Sequence, residues 1–287
     1  ASRAVAARLE AAIASERPVH ERLVHFWSNH FTVSTAKPAA IALPPSFEKD
    51  AIRPHVGGMS ADMLLASSKH PGMIVYLDNW LSVGPNSRSA QNPRRARRLP
   101  GGGRPTGINE NLAREILELH TLGVNGGYEQ ADVQALAAII TGWTYERARL
   151  RDFVSDAQGE RDGAQLFEFD ADAHEPGPKT LLGRTYSQDG VAQGEAALRD
   201  LARHDSTARF ISTKLCRHYI ADTPPEAAVA RLARTFQRSD GDLRETMDAL
   251  VDSPEAWETP HSKFKRPEEY AITLLRAANA RDLPPGA

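Results

Sequence analysis

The sequence predicts a mainly α-helical protein, a multi-helix orthogonal bundle with one small β-hairpin. Apolar residues recur at helical spacing along most of the chain, most clearly over residues 109–143. Proline and glycine interrupt this pattern at intervals typical of short helices. Strand character is confined to residues 165–186, where a short apolar run precedes a Pro/Gly turn. We therefore expect a single helical domain over residues 1–287, with residues 165–186 inserted as the hairpin.

The individual helices are predicted from apolar spacing and from the prolines, glycines and capping residues at their ends. Their expected ranges are 2–15, 20–31, 46–53, 60–69, 71–79, 109–123, 130–141, 191–204, 207–220, 226–238, 241–250 and 267–280. Asp205 or Ser206 is expected to cap the helix that begins near residue 207. Residues 146–163 carry charges of both signs with little periodicity, so they are predicted as a surface loop.

The helix predicted over residues 109–123 has a defined start and a defined buried face. Asn109 is expected at its N-cap, and Glu110 lies in the first turn, where the helix dipole favours an acid. Leu112, Ile116 and Leu119 recur at i, i+4 and i+7, so they are expected to face the core. A short Gly-rich turn leads to the helix at 130–141, and the two helices are predicted to form an αα-hairpin.

Polar residues on the first of these helices allow two interpretations. Glu110, Arg114 and Glu118 follow one another at i+4 steps, which is typical of a solvated charge ladder. Alternatively, Glu115, Glu118 and His120 point into a shared cleft as acid–base groups or metal ligands. The spacing is compatible with both interpretations.

Two histidines outside this helix are candidate ligands. His25 and His30 lie about 140° apart around a straight helix, so they cannot chelate one metal together. His30 is therefore considered singly, with a hydrogen-bonded core histidine as the alternative. His174 lies beside Glu175 at the tip of the predicted hairpin, with Lys179 close in sequence. A rigid turn there can present the imidazole to a cleft for acid–base chemistry or metal binding.

Residues 81–108 are predicted as a flexible, cationic loop. This segment contains four prolines, one run of three glycines and no acidic residue. Its arginines are Arg88, Arg94, Arg95, Arg97, Arg98 and Arg104. Guanidinium groups bind carboxylates, phosphates or sulfates, so an anion-binding loop is one interpretation and a solvated insertion is the other. A second basic cluster, Lys263, Lys265 and Arg266, precedes the last predicted helix.

Composition limits the function classes. The chain has 41% hydrophobic residues, 25% charged residues and a net charge of −2. This balance is ordinary for a globular protein and favours neither nucleic acid nor a charged membrane surface. No apolar run approaches the roughly 18 residues that a transmembrane helix needs. The single cysteine, Cys216, excludes an internal disulfide framework and is predicted to be buried and inert.

Seven blocks of the sequence carry a family resemblance. They are ERLVHFWSNHFTVS (21–34), KHPGMIVYLDN (69–79), NENLAREILELHTLGVNGGYEQADV (109–133), TGW (141–143), HEPGPKTLLG (174–183), STARFISTKL (206–215) and KFKRP (263–267). In this order they resemble the bacterial DUF1800 family over nearly the whole chain. The block at 109–133 is the most specific of them.

The resemblance implies a location and a partner, but little chemistry. Members resemble exported bacterial proteins, often with twin-arginine-type signals, so a periplasmic or extracellular location is expected. They are often encoded beside proteins that resemble alkaline phosphatases and sulfatases, which makes such a secreted protein the expected partner. Members are longer at both ends, so this chain resembles the central portion. The family pattern maps onto Asn109, Glu110, Arg114, Glu115, Glu118, Gly123, His30 and His174, whereas Glu129 and Ala138 depart from it.

Two functions are weighed from these observations. The preferred prediction is a binding or accessory protein for an anionic ligand or a secreted partner, which uses Asn109, Glu110, Arg114, Arg94, Arg95, Arg97 and Arg98. The alternative is a metal-assisted or acid–base hydrolase that uses Glu115, Glu118, His120 and His174 as catalytic groups. In that alternative a divalent metal would be the cofactor, with His30 and His174 as its ligands.

Overall fold

Helices make up most of the structure. The computed structural model describes residues 2–92, 107–154, 162–258 and 263–280. Its α-helices are α1 (Ser2–Ala14), α2 (Pro18–His30), α3 (Pro44–Phe47), α4 (Ser60–Lys69), α5 (Pro71–Tyr76), α6 (Arg88–Gln91), α7 (Asn111–Glu115), α8 (Gln130–Ile139), α9 (Arg147–Val154), α10 (Val191–Arg203), α11 (Asp205–Tyr219), α12 (Glu226–Arg238), α13 (Leu243–Val251), α14 (Glu255–Glu258) and α15 (Pro267–Ala277). The mainly α-helical prediction is confirmed. Among the described residues, no helix is long and apolar enough to cross a membrane.

Two details of the helix prediction were wrong. Helix α9 lies in the segment predicted as a loop, because its few apolar residues are ordered by packing against the turn at Gly163–Leu166. The start of α11 is capped by His204, whose Nδ1 accepts the Ser206 N–H at 3.1 Å, and not by Asp205 or Ser206. Histidine is not a usual N-cap residue, so sequence preference did not indicate this role.

The strands pair differently from the predicted hairpin. Strand β1 (Trp143–Tyr145) pairs antiparallel with β2 (Phe167–Phe169), and β3 (Lys179–Leu181) pairs antiparallel with β4 (Arg184–Tyr186). The apolar run at 166–169 therefore joins the end of the αα-hairpin instead of residues 180–182. The β3–β4 turn has positive φ at both Leu182 (50°) and Gly183 (75°), the combination that a two-residue hairpin turn uses. Leucine at such a position gives no turn signal in the sequence.

A π-helical turn interrupts the first helix of the αα-hairpin. After α7, the residues from Ile116 to His120 form a π turn, and the helix ends there, near Gly123 as predicted. Gly123 itself has a φ of 83° in the turn that follows. Leu112 and Ile116 are fully buried, but Leu119 is 43% exposed, so its predicted place in the core was wrong. The wider π turn rotates Leu117 and His120 inward in place of Leu119.

Trp143 lies at the centre of a continuous core that extends from Leu23 to Leu250. Its side chain is fully buried, and α10 approaches it closely at Gly194. The Asn79 amide donates to the carbonyl oxygens of Ile140 (3.2 Å) and Trp143 (2.9 Å), which fixes the end of α8 against the segment after α5. The C-terminal end of the αα-hairpin is therefore held by Asn79 through hydrogen bonds and by α10 through packing on Trp143.

Candidate functional site

The Glu110–Arg114 step of the predicted charge ladder is present and links two helices, whereas Glu118 accepts from Tyr128 instead. Arg114 Nη2 donates to Glu110 Oε2 at 2.9 Å and to Gln130 Oε1 at 2.9 Å. Gln130 Nε2 donates to the same Glu110 oxygen at 2.8 Å, so the ladder joins α7 to the start of α8. Asn109 Oδ1 accepts the Asn111 N–H at 2.8 Å, as a residue at the start of a helix does. These contacts stabilise the αα-hairpin and leave any ligand-binding role of the three residues a prediction.

Glu115 and Glu118 lie on the half-buried side of the same helix. Glu118 accepts a hydrogen bond from the Tyr128 hydroxyl at 3.3 Å. Burial, and then the charge of Glu118, raise the pKa of Glu115. In the described part of the chain neither carboxylate bonds to a histidine. The predicted cleft shared by Glu115, Glu118 and His120 is therefore not formed by direct contacts in this structure.

His30 and His120 meet in the core, together with Lys214. His30 Nε2 donates to the carbonyl oxygen of His120 at 3.1 Å, so its Nδ1 is left to accept from Lys214 Nζ at 2.7 Å. The ammonium group of Lys214 also lies 5.2 Å from the ring centre of Phe210. The sequence-based hydrolase hypothesis included both His30 and His120. No sequence pattern indicated that Lys214 would donate a hydrogen bond to His30.

Burial dominates the electrostatics of this cluster. It lowers the pKa of His120 to about 3 and, helped by the charge of Lys214, lowers the pKa of His30 well below its usual value. Burial and Arg217 lower the pKa of Lys214 to about 8. Both imidazoles are therefore neutral near pH 7, and Lys214 is easier to deprotonate than an exposed lysine.

The cavity beside His120 is too small for a substrate. It has a volume of about 20 Å³ and is lined by Trp27, Ser60 and His120, among others. A single water needs about 10–15 Å³ on the same measure. Ser60 Oγ, Trp27 Nε1 and His120 Nδ1 have no protein partner in the described residues, so one ordered water suits this place. The cluster is consistent with a structural role.

His174 lies in a separate polar cluster. Its Nδ1 donates to the carbonyl oxygen of Thr141 at 2.9 Å, and its ring packs edge-on against Phe169. Burial lowers its pKa, although the Thr141 carbonyl opposes the shift. Glu175 accepts from the backbone and side-chain nitrogens of Asn86 at 2.9 and 2.6 Å. His174 and Glu175 therefore tie the hairpin segment to the TGW block and to the loop before α6.

The predicted metal and arginine sites have different outcomes. Within the described ranges, no group of three or more His, Cys, Asp or Glu is arranged to hold a metal ion, and His30 and His174 belong to different clusters. The arginines of the predicted cationic loop, Arg94, Arg95, Arg97 and Arg98, lie outside the described residues, and their anion-binding role stays a prediction.

An Asp–His pair that the sequence did not indicate connects three segments. His70 Nδ1 accepts the Gly72 N–H at 3.0 Å, so its protonated Nε2 faces Asp50 Oδ2 at 3.5 Å. Asp50 also accepts the Gly163 N–H at 2.8 Å. Both side chains are almost completely buried, and the 3.5 Å Nε2–Oδ2 contact is an ion-pair distance and not a hydrogen bond. With Nδ1 engaged by Gly72 and Asp50 engaged by Gly163, this pair fits a structural role that joins the three segments better than a catalytic one.

A cleft of about 160 Å³ lies between α1, α2, α11 and α15, and we call it the α15 cleft. Four cationic side chains line it: Arg22 from α2, Lys265 and Arg266 from the segment before α15, and Arg276 from α15 itself. Two carboxylates, Glu21 and Glu269, also line it.

Polar contacts attach α15 to the rest of the protein. Arg276 Nη1 donates to the carbonyl oxygens of Ala12, Ile13 and Ser15 at 2.7–3.0 Å, and so caps the C-terminal end of α1. Helix α15 has no fully buried residue. The wall that α15 provides is therefore held by charge and hydrogen bonds more than by apolar packing.

The charges in the α15 cleft are unevenly matched. Glu21 is engaged by Arg53, which donates to both carboxylate oxygens at 3.0 Å. Arg22 Nη2 donates to the His218 carbonyl oxygen at 2.9 Å and its guanidinium covers the Tyr219 ring at 4.5 Å. Since each guanidinium has five N–H groups, Arg22 and Arg276 keep donors beyond these contacts. The cleft therefore carries an excess of positive charge.

Two histidines in the cleft have unpartnered nitrogens. The side chains of His25 and His218 are each 10% exposed, and their Nε2 atoms have no hydrogen-bond partner in the described residues. Burial, with Arg22 next, lowers the pKa of His218 to about 4, and burial, with Arg8 next, lowers the pKa of His25. Buried polar atoms normally have a hydrogen-bond partner. Two buried imidazole nitrogens without one in the same cleft therefore indicate a site where a polar ligand or water forms these hydrogen bonds.

The sequence profile of the DUF1800 family, described as a protein of unknown function, matches residues 1–285. The chain belongs to the DUF1800 family. No curated protein and no solved structure matches it significantly. The DUF1800 description names no reaction or ligand, so the function of this member is argued from its own site.

Part of the α15 cleft had a signal in the sequence of this DUF1800 member. The KFKRP block contributes Lys265 and Arg266, which belong to the predicted second basic cluster. Arg22 and Arg276 are single basic residues on amphipathic helices, and such residues are usually solvated. Only the packing of α15 against α1 and α2 makes these four residues neighbours.

Proposed function

We propose that this DUF1800 protein binds a small anion in the α15 cleft. The observation that carries the proposal is the pair of buried, unpartnered imidazole nitrogens of His25 and His218 in a cavity lined by four cations. A cavity of this volume admits an ion of several non-hydrogen atoms, since one water needs only about 10–15 Å³ on the same measure. Guanidinium donors favour oxyanions, because they match two oxygens at once.

This site keeps the predicted ligand class and changes the residues that hold it. The sequence-based hypothesis relied on Arg94, Arg95, Arg97 and Arg98. The α15 cleft offers a second set of cations, of which Arg22 and Arg276 lie on helices and Lys265 and Arg266 directly precede α15. Residues on helices hold a ligand more rigidly than loop residues do.

The hydrolase alternative has weaker support. In the described residues, Glu115 and Glu118 make no bond to a histidine, and the cavity beside His120 admits only a water. General acid–base catalysis needs its groups within hydrogen-bond reach of a substrate. The binding role is therefore the better-supported proposal.

Export and a secreted phosphatase- or sulfatase-like partner belong to the same proposal, on the basis of the family resemblance alone. Fractionation of the producing bacterium tests the first expectation, since recovery only in the cytoplasm would contradict it. Co-purification with the candidate partner tests the second.

The experiment is isothermal titration of the purified protein with inorganic phosphate, sulfate and acetate at 0.15 M salt. Lys265→Gln removes one cleft cation whose ammonium group makes, among the described residues, a weak 3.4 Å bond to Thr273, so the fold should be retained. Losing one hydrogen bond to a charged group costs about 1.5–3 kcal/mol, so the variant should bind the preferred anion roughly tenfold more weakly or worse.

Lys263→Gln is the matched control. Lys263 belongs to the same basic cluster but pairs with Asp222 at the surface and does not line the cleft. Its substitution should change the affinity by less than about twofold, because exposed pairs contribute little. If no anion binds, or if both variants weaken binding equally, the α15 cleft is not the site.

A further inference from the structure

The α15 cleft contains a carboxylate that a simple anion site would not have. Glu269 is 15% exposed and lies near the N-terminal end of α15, among the cleft cations. Its Oε2 accepts the Arg266 N–H at 3.0 Å, which caps the helix. Glu269 therefore has a structural role through one oxygen, and the other oxygen remains to be explained.

The second oxygen of Glu269 has only long contacts. Its Oε1 lies 3.3 Å from Arg266 Nη2, 3.8 Å from His218 Nε2 and 4.0 Å from Arg22 Nη2. Charge-assisted hydrogen bonds are usually about 2.7–2.9 Å, so none of these contacts satisfies the oxygen well. Glu21, the other carboxylate of the cleft, is instead fully engaged by Arg53. Glu269 Oε1 therefore has only a weak bond from Arg266 and retains a lone pair for a further, shorter hydrogen bond.

This acceptor stays ionised. Burial acts to raise the pKa of Glu269, but the Arg266 backbone N–H and guanidinium outweigh it and hold the pKa below its usual value. The charged and titratable groups around it are Glu21, Arg22 and His25 from α2, His218 from α11, Lys265 and Arg266 before α15, and Arg276 along α15, with Glu268 beside His25. The bound anion must therefore lie beside a negative carboxylate.

We infer that the α15 cleft selects an oxyanion that carries its own proton, a hydrogen phosphate group, over sulfate. This inference rests on the proposed anion-binding function. A hydrogen phosphate donates its P–O–H to Glu269 Oε1. Its other oxygens accept from the surrounding cations and from the N–H group of a neutral imidazole. Sulfate has no proton to donate near neutral pH, so it would face the carboxylate as a like charge. The second pKa of a phosphomonoester is about 6, so the protonated form is available at mildly acidic pH.

The test is isothermal titration of the intact chain with inorganic phosphate, glycerol 3-phosphate and sulfate at pH 6.5. We expect at least one phosphate to bind roughly tenfold or more tightly than sulfate, from the lost hydrogen bond and the like-charge contact. Glu269→Gln should reduce this preference to about threefold or less, because a glutamine amide can donate to sulfate. Glu226→Gln, a change of the same type at an exposed residue of α12 that pairs with Arg209 outside the cleft, should keep the preference of the unmodified protein.

The outcomes separate the two proposals. If no anion binds the unmodified protein, the proposed function itself fails. If sulfate and phosphate bind equally well, or if Glu269→Gln keeps the full preference, anion binding stands and the selection by Glu269 is refuted.

If Glu269→Gln does not fold, titrating the unmodified protein with each anion at several pH values tests the same selection of hydrogen phosphate over sulfate. Glycerol 3-phosphate affinity should rise by about fivefold or more from pH 8 to pH 6, as the ester becomes protonated. Sulfate affinity should stay nearly constant in this range, because His218 titrates only at about pH 4. Parallel curves for the two anions would overturn the inference.

Discussion

Gly194→Ala is the sharpest test of the packing around Trp143. A Cβ at residue 194 would lie 2.3 Å from Trp143 Cζ2 and 2.9 Å from Cε2, far inside a normal contact. Trp143 is fully buried, so its ring has no room to move away. Forcing an extra methyl group into a well-packed core costs about 1–3 kcal/mol. Alanine in a helix regains about 0.5–1 kcal/mol relative to glycine. The 2.3 Å overlap with a buried ring favours the upper half of the first range, about 2–3 kcal/mol, so the net loss in the free energy of unfolding is about 1–2.5 kcal/mol.

Thermal and urea denaturation followed by tryptophan fluorescence measure this loss. A net change of this size should lower Tm by about 2–6 °C in a protein of this length. Gly57→Ala is the matched control, because a Cβ there meets no atom within 4 Å. It should leave stability within about 0.5 kcal/mol. If Gly194→Ala is as stable as the unmodified protein, α10 does not approach Trp143 as closely as described.

Two further predictions concern the buried His30, His120 and Lys214 cluster. The pKa of His120 is lowered to about 3 in the folded protein, so below about pH 6.5 the unfolded chain binds a proton at this residue and the folded protein does not. The free energy of unfolding should therefore fall as the pH drops below 6.5, by up to about 1.4 kcal/mol per pH unit for this group. His120→Gln should flatten this slope in urea titrations at pH 7 and pH 5, and an unchanged slope would show that other groups cause it. Because the pKa of Lys214 is lowered to about 8, its amine should be acylated faster at pH 8 than the ion-paired Lys263 in competitive labelling followed by mass spectrometry. Equal or slower labelling of Lys214 would indicate that its amine is fully protonated or closed to the reagent.

The αα-hairpin shows how far local pattern determines structure. Its second helix begins at the predicted residue because Asp132 accepts the Glu129 N–H at 2.9 Å, which is an interaction within one turn of chain. Its first helix begins beside Asn109 for the same reason. Leu119, however, faces outward because of the π turn, and no spacing rule indicates where such a turn will form.

The candidate sites depended on distant parts of the chain. His30 and His120 were both singled out from the sequence, but their contact with Lys214 joins residues 184 positions apart. The α15 cleft combines α2 with α15, and its anchoring bonds join residues more than 260 positions apart. Whether a basic side chain on an amphipathic helix is solvated or lines a cleft is decided by the element that packs against it.

The sequence alone determined the mainly helical class, most helix ends and the DUF1800 family, because capping, helical periodicity and family blocks are local properties of the chain. Tertiary structure decided the strand pairing, the inward turn of His120 and the meeting of Arg22, Glu269 and Arg276. It also decided which polar atoms lost contact with water, including the imidazole nitrogens of His25 and His218. Burial depends on contacts between segments that are far apart in sequence, so no local pattern carries this information.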